Sequence, residues 1–498
     1  MRAKKSLLKA MLRYPLNLTD GALMKIENID INKTLESARQ QLAEDKSISL
    51  GLKSLVELLL VIITLLSNRL NLNSRNSSKP PSTDKNRKKE NKKEAAGKKP
   101  GGQAGHVGKN LSPVEDPDEI KHIKIDKRTL PRGQYHDAGY DMRQVINIKI
   151  SRHVIEYRAQ ILEDEAGVQY VAPFPVGVTR PVQYGQSFKA HSVYLSQFQL
   201  IPYNRIEDYF SQEIKVPVSL GSIYNFNKEA YELLEQFDAI VKRKLVAAPV
   251  LHVDETGINV NAKLAWLHVT ANELWTYFYP HQKRGGVAMD DIGILKDFHG
   301  TLCHDHWRPY FIYQCIHALC NAHHLRELQR AFEQDNQTWA RVMKELLIDI
   351  NQVNKTAGGV LSEALANQYC EKYRAIIAQG EIECPPPEPT PGKPKRGRLK
   401  RSKSRNLLER LSTFEEDTLR FMKDVDVPFT NNLAENNIRM TKVQQKISGC
   451  FRSMEGAYIF CRVRGYLSTC RKHGLAATDA LNMLFNGEMP DFMSEATE

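Results

Sequence analysis

The sequence predicts an α/β protein: a strand-rich catalytic core with a helical insertion, preceded by a helical N-terminal region and a small β-rich module, and followed by C-terminal helices. Three observations predict it. Short apolar runs of strand length, bounded by turn residues, cluster between 250 and 305. Segments with helical periodicity lie on both sides of that cluster. Proline-, glycine- and lysine-rich stretches punctuate the chain near 76–110 and 385–405. The chain has 498 residues, 41% of them hydrophobic, which suits about three domains with ample core.

The segments are expected as follows. Residues 1–75 form a helical, oligomerising region, and 76–110 a basic flexible linker. Residues 111–178 form the small β-rich module, and 179–245 a helix-turn-helix-like DNA-binding region. The core occupies 246–334, the insertion 335–425, and the core's last helix with the C-terminal helices 426–498.

Residues 34–72 read as helix, with Leu35, Leu42, Leu52, Leu55, Leu59, Ile62, Leu66 and Leu70 in an apolar stripe. The stripe suits an oligomerising helix and equally a helix packed on its own domain. The run Leu58 to Leu66 is shorter than the roughly 20 apolar residues a membrane span needs, so no membrane association is expected. The basic N-terminus lacks a long apolar core, so no signal peptide is expected either.

Between Lys79 and Lys109 there are 10 Lys/Arg against 3 Asp/Glu, a composition that suits a flexible strap along DNA or a solvated linker. Residues 140–172 alternate: Ile146, Ile148 and Ile150 share one face, and Ile155, Tyr157, Ala159 and Ile161 repeat the pattern. Short antiparallel strands are expected there. Residues 186–245 read helical. Ile206–Gln212, a turn at Val216–Val218 and a helix from Ser219 have helix-turn-helix proportions, with Ser219 as cap and Ser222, Asn225 and Lys228 toward a major groove.

Val250–Asp254 reads as a strand ending in an acid, with further strands at 264–269 and 274–279, a helix at 288–298, a strand at 300–305 ending in Asp305, and a long helix from Cys315 to Glu333. Three strands, helix, strand, helix is the order of a ribonuclease-H-like core. Such a core takes metal-binding acids from its first and fourth strands and from a later helix. The third acid is offered by Pro428–Met440, where Glu435 falls in the first turn of a helix and Arg439 shares its face. Lys442, Lys446 and Arg452 follow and suit phosphate contacts.

Asp305 lies 51 residues after Asp254, and Glu435 another 130 on, which requires the helical insertion. Inside it, six prolines lead into a basic strap from Lys393 to Arg405. Phosphodiester cleavage builds charge on the attacking and leaving oxygens. Paired divalent cations held by carboxylates stabilise both. Each acid also has a plainer role as strand cap, salt-bridge partner or helix-dipole acid, and Glu255, Asp290, Asp291 and Asp297 are rivals.

Several separated motifs, in order, resemble the insertion sequence 66 family of DDE transposases. They are His252-Val253-Asp254-Glu255-Thr256, Asp305 with Tyr310, Cys320-Asn321-Ala322-His323, and Asn431 through Met440 with Lys446-Ile447-Ser448-Gly449 and Phe451-Arg452-Ser453. Asn76–Ser82 and Gly101–His106 look like the family's linker. The resemblance implies that Asp254, Asp305 and Glu435 are the catalytic metal ligands. It also implies the helical insertion and a complex of several copies with paired transposon ends, while the carboxylate chemistry itself points to Mg²⁺ or Mn²⁺ as cofactor.

Accessory transposition proteins are further candidate partners. Two other functions compete: an inactive regulator that occupies DNA ends, and a metal-dependent nuclease. One departure is plain. The family carries a cysteine-based zinc module after the linker, and residues 110–175 contain no cysteine; zinc is not expected there.

His317, Cys320 and His324 fall at i, i+3 and i+7 of the expected 315–333 helix, but a packed helix is preferred to a zinc site because no Cys-x-x-Cys knuckle is present. His323, Arg326 and Arg330 are expected to face DNA or a neighbouring acid. Trp307 suits either stacking on a base or core packing. Cys450, Cys461 and Cys470 are expected to pack in the C-terminal helices. The net charge of +12 favours a polyanionic partner, DNA. No cysteine precedes Cys303, which suits a reducing, nucleoid-associated cytoplasmic setting.

Overall fold

The computed structural model describes residues 25–26, 29–45, 47–77, 84, 111–387 and 401–494. Most of the lysine-rich linker and the proline-basic strap over 388–400 lie outside the described residues. The described residues sort into two units, one drawn from 1–87, 180–207 and 218–498, the other from 88–179 and 208–217.

In chain order the elements begin with β1 (Lys25–Ile26) and β2 (Ile29–Asp30), then α1 (Ile31–Glu44) and α2 (Leu50–Leu70). Next are β3 (Ile161–Glu163), β4 (Gln169–Val171), α3 (Gln186–Val193), α4 (Tyr203–Tyr209), α5 (Leu220–Leu233) and α6 (Glu235–Val246). The core follows with β5 (Val250–Val260), β6 (Lys263–Ala271), β7 (Thr276–His281), α7 (Gly286–Ile292), β8 (Thr301–His304), β9 (Ile316–Leu319) and α8 (Asn321–Asp335). Then come α9 (Thr338–Thr356), α10 (Glu363–Glu383), α11 (Lys403–Thr413), α12 (Glu415–Leu419), α13 (Asn432–Ser448), α14 (Met454–Lys472) and α15 (Ala477–Phe485).

The single long helix expected over 34–72 is two helices. Ser49 breaks it by capping α2 through the Leu52 N–H. Leu35, Leu42 and Leu60 pack together, while Leu52, Leu55, Leu59, Ile62 and Leu66 remain exposed. Helix α2 is long and apolar enough, by length and composition, to cross a membrane. The apolar stretch is longer than Leu58–Leu66, since Lys53 and Glu57 are the only charged residues between Leu50 and Leu66.

In the second unit, the strands expected across 140–160 are absent. Among the described residues of this unit only β3 and β4 pair, with Leu162 opposite Tyr170. Alternation yields a strand when one face has a layer to cover it. Here Ile146, Ile148 and Ile150 are exposed, Ile148 at 88%.

The sheet order is β7-β6-β5-β8-β9, with β5, β6 and β7 antiparallel and β8 and β9 parallel to β5. Two expectations are corrected here. The first strand does not end at Asp254 but runs on to Val260, into a two-residue turn at Asn261–Ala262 with both φ angles positive. The helix expected from Cys315 starts only at Asn321, because 316–319 is taken up as the fifth strand, whose Thr301↔Ile316 to His304↔Leu319 register satisfies its backbone. The helix expected at 288–298 is the shorter α7.

Two apolar clusters pack against the sheet, and the register that pairs His252 with Cys303 and Cys303 with Ala318 puts sheet residues of both on one face. In the first, Ile258, Val260, Leu267, Val269 and Phe278 pack with Ala434, Ile438, Ala457 and Phe460 of α13 and α14. In the second, Cys303 and Ala318 join Leu328, Trp339, Met343, Tyr373, Leu407 and Leu411 of α8 to α11. The last two lie beyond the proline-basic strap. Arg405, expected in an exposed strap, is 8% exposed and pairs with Glu381 and Glu409, so it is a fold residue.

Candidate active site

Asp254 lies in mid-strand on β5. Residues of a strand alternate faces. Asp254 therefore shares its face with His252, Ile258 and Val260, the face that α13 covers, and its neighbour Glu255 points the other way. Asp305 follows the last residue of β8, where its Oδ1 accepts the Trp307 N–H at 2.9 Å. Glu435 sits in the first turn of α13, as expected.

Asn431, just ahead of α13 and 2% exposed, fixes that helix start against β5. Its Oδ1 lies 2.8 Å from His252 Nδ1, its Nδ2 donates to the Val253 carbonyl at 2.8 Å, and its N–H donates to Cys320 Sγ at 3.2 Å. The other end of α13 is held to the β5–β6 turn by Phe451, which exchanges bonds with Asn259 and Asn261.

Asp254 feels the charges of both Asp305 and Glu435, and Glu435 feels that of Asp305. Burial pushes the Asp254 carboxyl well above the ordinary carboxylate range, and the charges of Glu255, Asp305 and Glu435 add to that. Burial raises Asp305 too, against the Trp307 N–H and the charges of Arg284 and Arg410. Burial raises Glu435, opposed by Arg326 and Arg439 and reinforced by Asp305. Crowded, partly desolvated oxygens of this kind fit a divalent cation, whose charge relieves both the burial and the repulsion.

Three of the four rival acids, Glu255, Asp290 and Asp291, have side-chain partners of their own. Glu255 accepts from Arg284 Nε at 2.9 Å and Nη2 at 2.6 Å and from the Tyr310 hydroxyl at 2.5 Å. Arg284 in turn lies over the rings of Trp266 and Trp307, so Trp307 is packed by a guanidinium. Asp290 accepts from Tyr313, and Asp291 lies 3.1 Å from His281.

The expected DNA contacts are placed as follows. Arg439, Lys446 and Arg452 are exposed, while Lys442 donates to the Gly257 carbonyl. Ser219 caps α5, accepting from the Ser222 N–H at 3.1 Å. Asn225 is exposed, and Lys228 is paired with Glu455 at 2.9 Å.

His317, Cys320 and His324 do not share a helix face: His317 is on β9 and bonds His304 at 3.0 Å, while His324 bonds Asn321 at 3.0 Å. His323 faces Glu435, and Arg330 pairs with Asp335. Cys461 and Cys470 are buried, but Cys450 is exposed in the link between α13 and α14, and all eight cysteines are unpaired. Sequence reasoning missed Asn431 and Arg284 as site residues. The Asn-rich turn before Glu435 carried the first signal; nothing local marks the second.

The sequence profile described as "Transposase IS66 family" matches residues 181–459, more than half of the chain. A family of unknown function matches residues 25–112. An uncharacterised protein, y4jO of Sinorhizobium fredii, is 34% identical over 70 residues, 14% of this chain and 22% of that protein's length. Because that stretch is so short, y4jO supports a relationship and no activity. The family profile covers the whole sheet and all three acids, and the chain therefore belongs to the IS66 family of transposases.

Proposed function

We propose that the protein binds the ends of its own insertion element, hydrolyses one phosphodiester at each end to free a 3′ hydroxyl, and joins that hydroxyl to target DNA. The observation that carries this reading is that Asp305, after the end of β8, and Glu435, at the start of α13, both act electrostatically on the buried Asp254 in mid-β5. The sheet order supports a ribonuclease-H-like core. Bound Mg²⁺ or Mn²⁺ supplies charge stabilisation at the attacking and leaving oxygens.

Asp254 and Asp305 are the residues that would hold both ions, and Glu435 would complete one of them. Arg439, Lys446 and Arg452 supply phosphate contacts along and beyond α13, and Lys442 joins them by exchanging its bond to Gly257. Ser222, Asn225 and Lys228 on α5 take the groove of the terminal DNA, with Lys228 released from Glu455. Several copies assemble on paired ends, through α1 and α2 among other surfaces.

The test is a cleavage and strand-transfer assay with the element's own ends in Mg²⁺. Wild type nicks and joins, and Asp254→Asn does neither while still binding the ends. Joining by Asp254→Asn overturns the site. Binding by wild type without nicking makes the protein an end-binding regulator, and nicks without joined products make it a nuclease.

A further inference from the structure

The first carboxylate of α13 has a second set of neighbours. Cys320 Sγ lies 3.9 Å from Glu435 Oε1, and His323 Nδ1 lies 3.9 Å from the same oxygen. One ligand atom from each of the three residues falls within 4.8 Å of the other two. Cys320 closes the backbone just ahead of α8, and His323 is in the first turn of that helix. His323 Nδ1 is buried and has no hydrogen-bond partner. The sulfur already accepts the Asn431 N–H at 3.2 Å.

We propose that Cys320, His323 and Glu435 form a binding site for a thiophilic divalent ion of the zinc class, distinct from the all-oxygen pocket but sharing Glu435 with it. Sulfur, imidazole nitrogen and one carboxylate oxygen are the donor set that zinc and cobalt prefer and that magnesium avoids. Tetrahedral ligands at zinc bond lengths stand roughly 3.3–3.7 Å apart, so the two contacts of Glu435 need to close by a few tenths of an ångström and the Cys320 and His323 donors by at most about 1 Å. On binding, the Cys320 thiol releases its proton to solvent and its sulfur bonds to the ion; nothing is oxidised or reduced. Three protein ligands leave a fourth position for water or a phosphate oxygen.

The site has a consequence that rests on the reading of Glu435 as a ligand of the hard ions. An ion held by Cys320 and His323 keeps that carboxylate, so zinc-class ions oppose the Mg²⁺-dependent reaction rather than support it. A cysteine-free β-rich module and a thiolate site in the core can thus occur in one chain.

The probe is Co²⁺ titrated into the full chain, read by thiolate-to-cobalt charge-transfer absorption. The expected result is one ion per chain with that absorption, lost in Cys320→Ser and retained in Cys450→Ser. His323→Gln, whose Nδ1 makes no hydrogen bond, lowers Co²⁺ affinity at least about tenfold. Absorption that survives Cys320→Ser, or unchanged affinity in His323→Gln, overturns the proposal. So does a wild-type chain that shows no such absorption. Asp254→Asn separates the two readings: it abolishes Mg²⁺-dependent cleavage and leaves the cobalt absorption intact.

Discussion

Asp254 is the residue where function and stability pull apart. Its carboxylate is enclosed beside three other acids, so its charge costs folding energy at neutral pH. Asp254→Asn keeps the shape and removes the charge. The metal-free variant should be more stable than wild type by about 1 kcal/mol, measured by urea unfolding in EDTA; a less stable variant refutes the strain. Asn431 behaves oppositely. Asn431→Ala leaves the Val253 carbonyl and His252 without partners, at a cost of about 2–4 kcal/mol, and should loosen Glu435. If Asn431→Ala unfolds like wild type, the staple does not hold α13. Ala262 has φ 60°, a backbone that favours glycine, so Ala262→Gly should stabilise by about 1 kcal/mol. At this scale the sequence placed Asp305 after a strand and Glu435 in the first turn of a helix, but put Asp254 at a strand end where it lies in mid-strand. Asn431 and Arg284 were not legible, since their partners lie 29 to 179 residues away.

The elements show why patterning succeeded in the core and failed outside it. Strands β5 to β7 have apolar residues that α13 and α14 bury, so period-two runs became strands. Residues 140–160 have the same alternation with Ile146, Ile148 and Ile150 exposed, and no ladder forms there. Strand β9 was misread as helix because Ile316–Leu319 is too short for periodicity to decide; the exposed edge of β8 decided it. Gly300 marks the tightest approach, where β8 enters beneath the end of α6. A Cβ there would stand 2.4 Å from the Pro249 carbonyl and 2.8 Å from Phe298. Gly300→Ala should cost about 3 kcal/mol or more and displace Asp305, read as a lowered unfolding midpoint; an unchanged midpoint shows that the strand entry yields. Helix α2 carries an apolar face that α1 does not cover. Leu59→Glu with Leu66→Glu should reduce self-association in sedimentation without loss of helicity by circular dichroism. Vesicle binding by wild type that this double variant loses, with no change in self-association, would assign the face to lipid.

Across the whole molecule two populations of buried titratable groups oppose each other. His304, wholly buried, is pushed down to about 3, and burial holds His324 well below 6.5. The unfolded chain binds more protons than the folded one between about 6.5 and 3. Their stabilising neutrality is therefore present above about 6.5 and lost as pH falls, on the order of 2 kcal/mol for His304 by pH 5. The acids Asp254, Asp305 and Glu435 have the reverse sign. Their folded values are raised, so their strain is present at neutral and higher pH and is relieved as pH falls through those values. In EDTA the two trends offset, and stability should change little between pH 8 and 6. With saturating Mg²⁺ the ion removes the carboxylate strain at pH 8, while protons compete with it at pH 5. The Mg²⁺-induced rise in unfolding temperature should therefore be largest at pH 8 and shrink toward zero at pH 5. An equal rise at both values would mean that the cation binds outside the three acids. Because Asp254→Asn should lose most of the rise at pH 8, the same pair of scans also separates the candidate pocket from weak cation binding elsewhere on the surface.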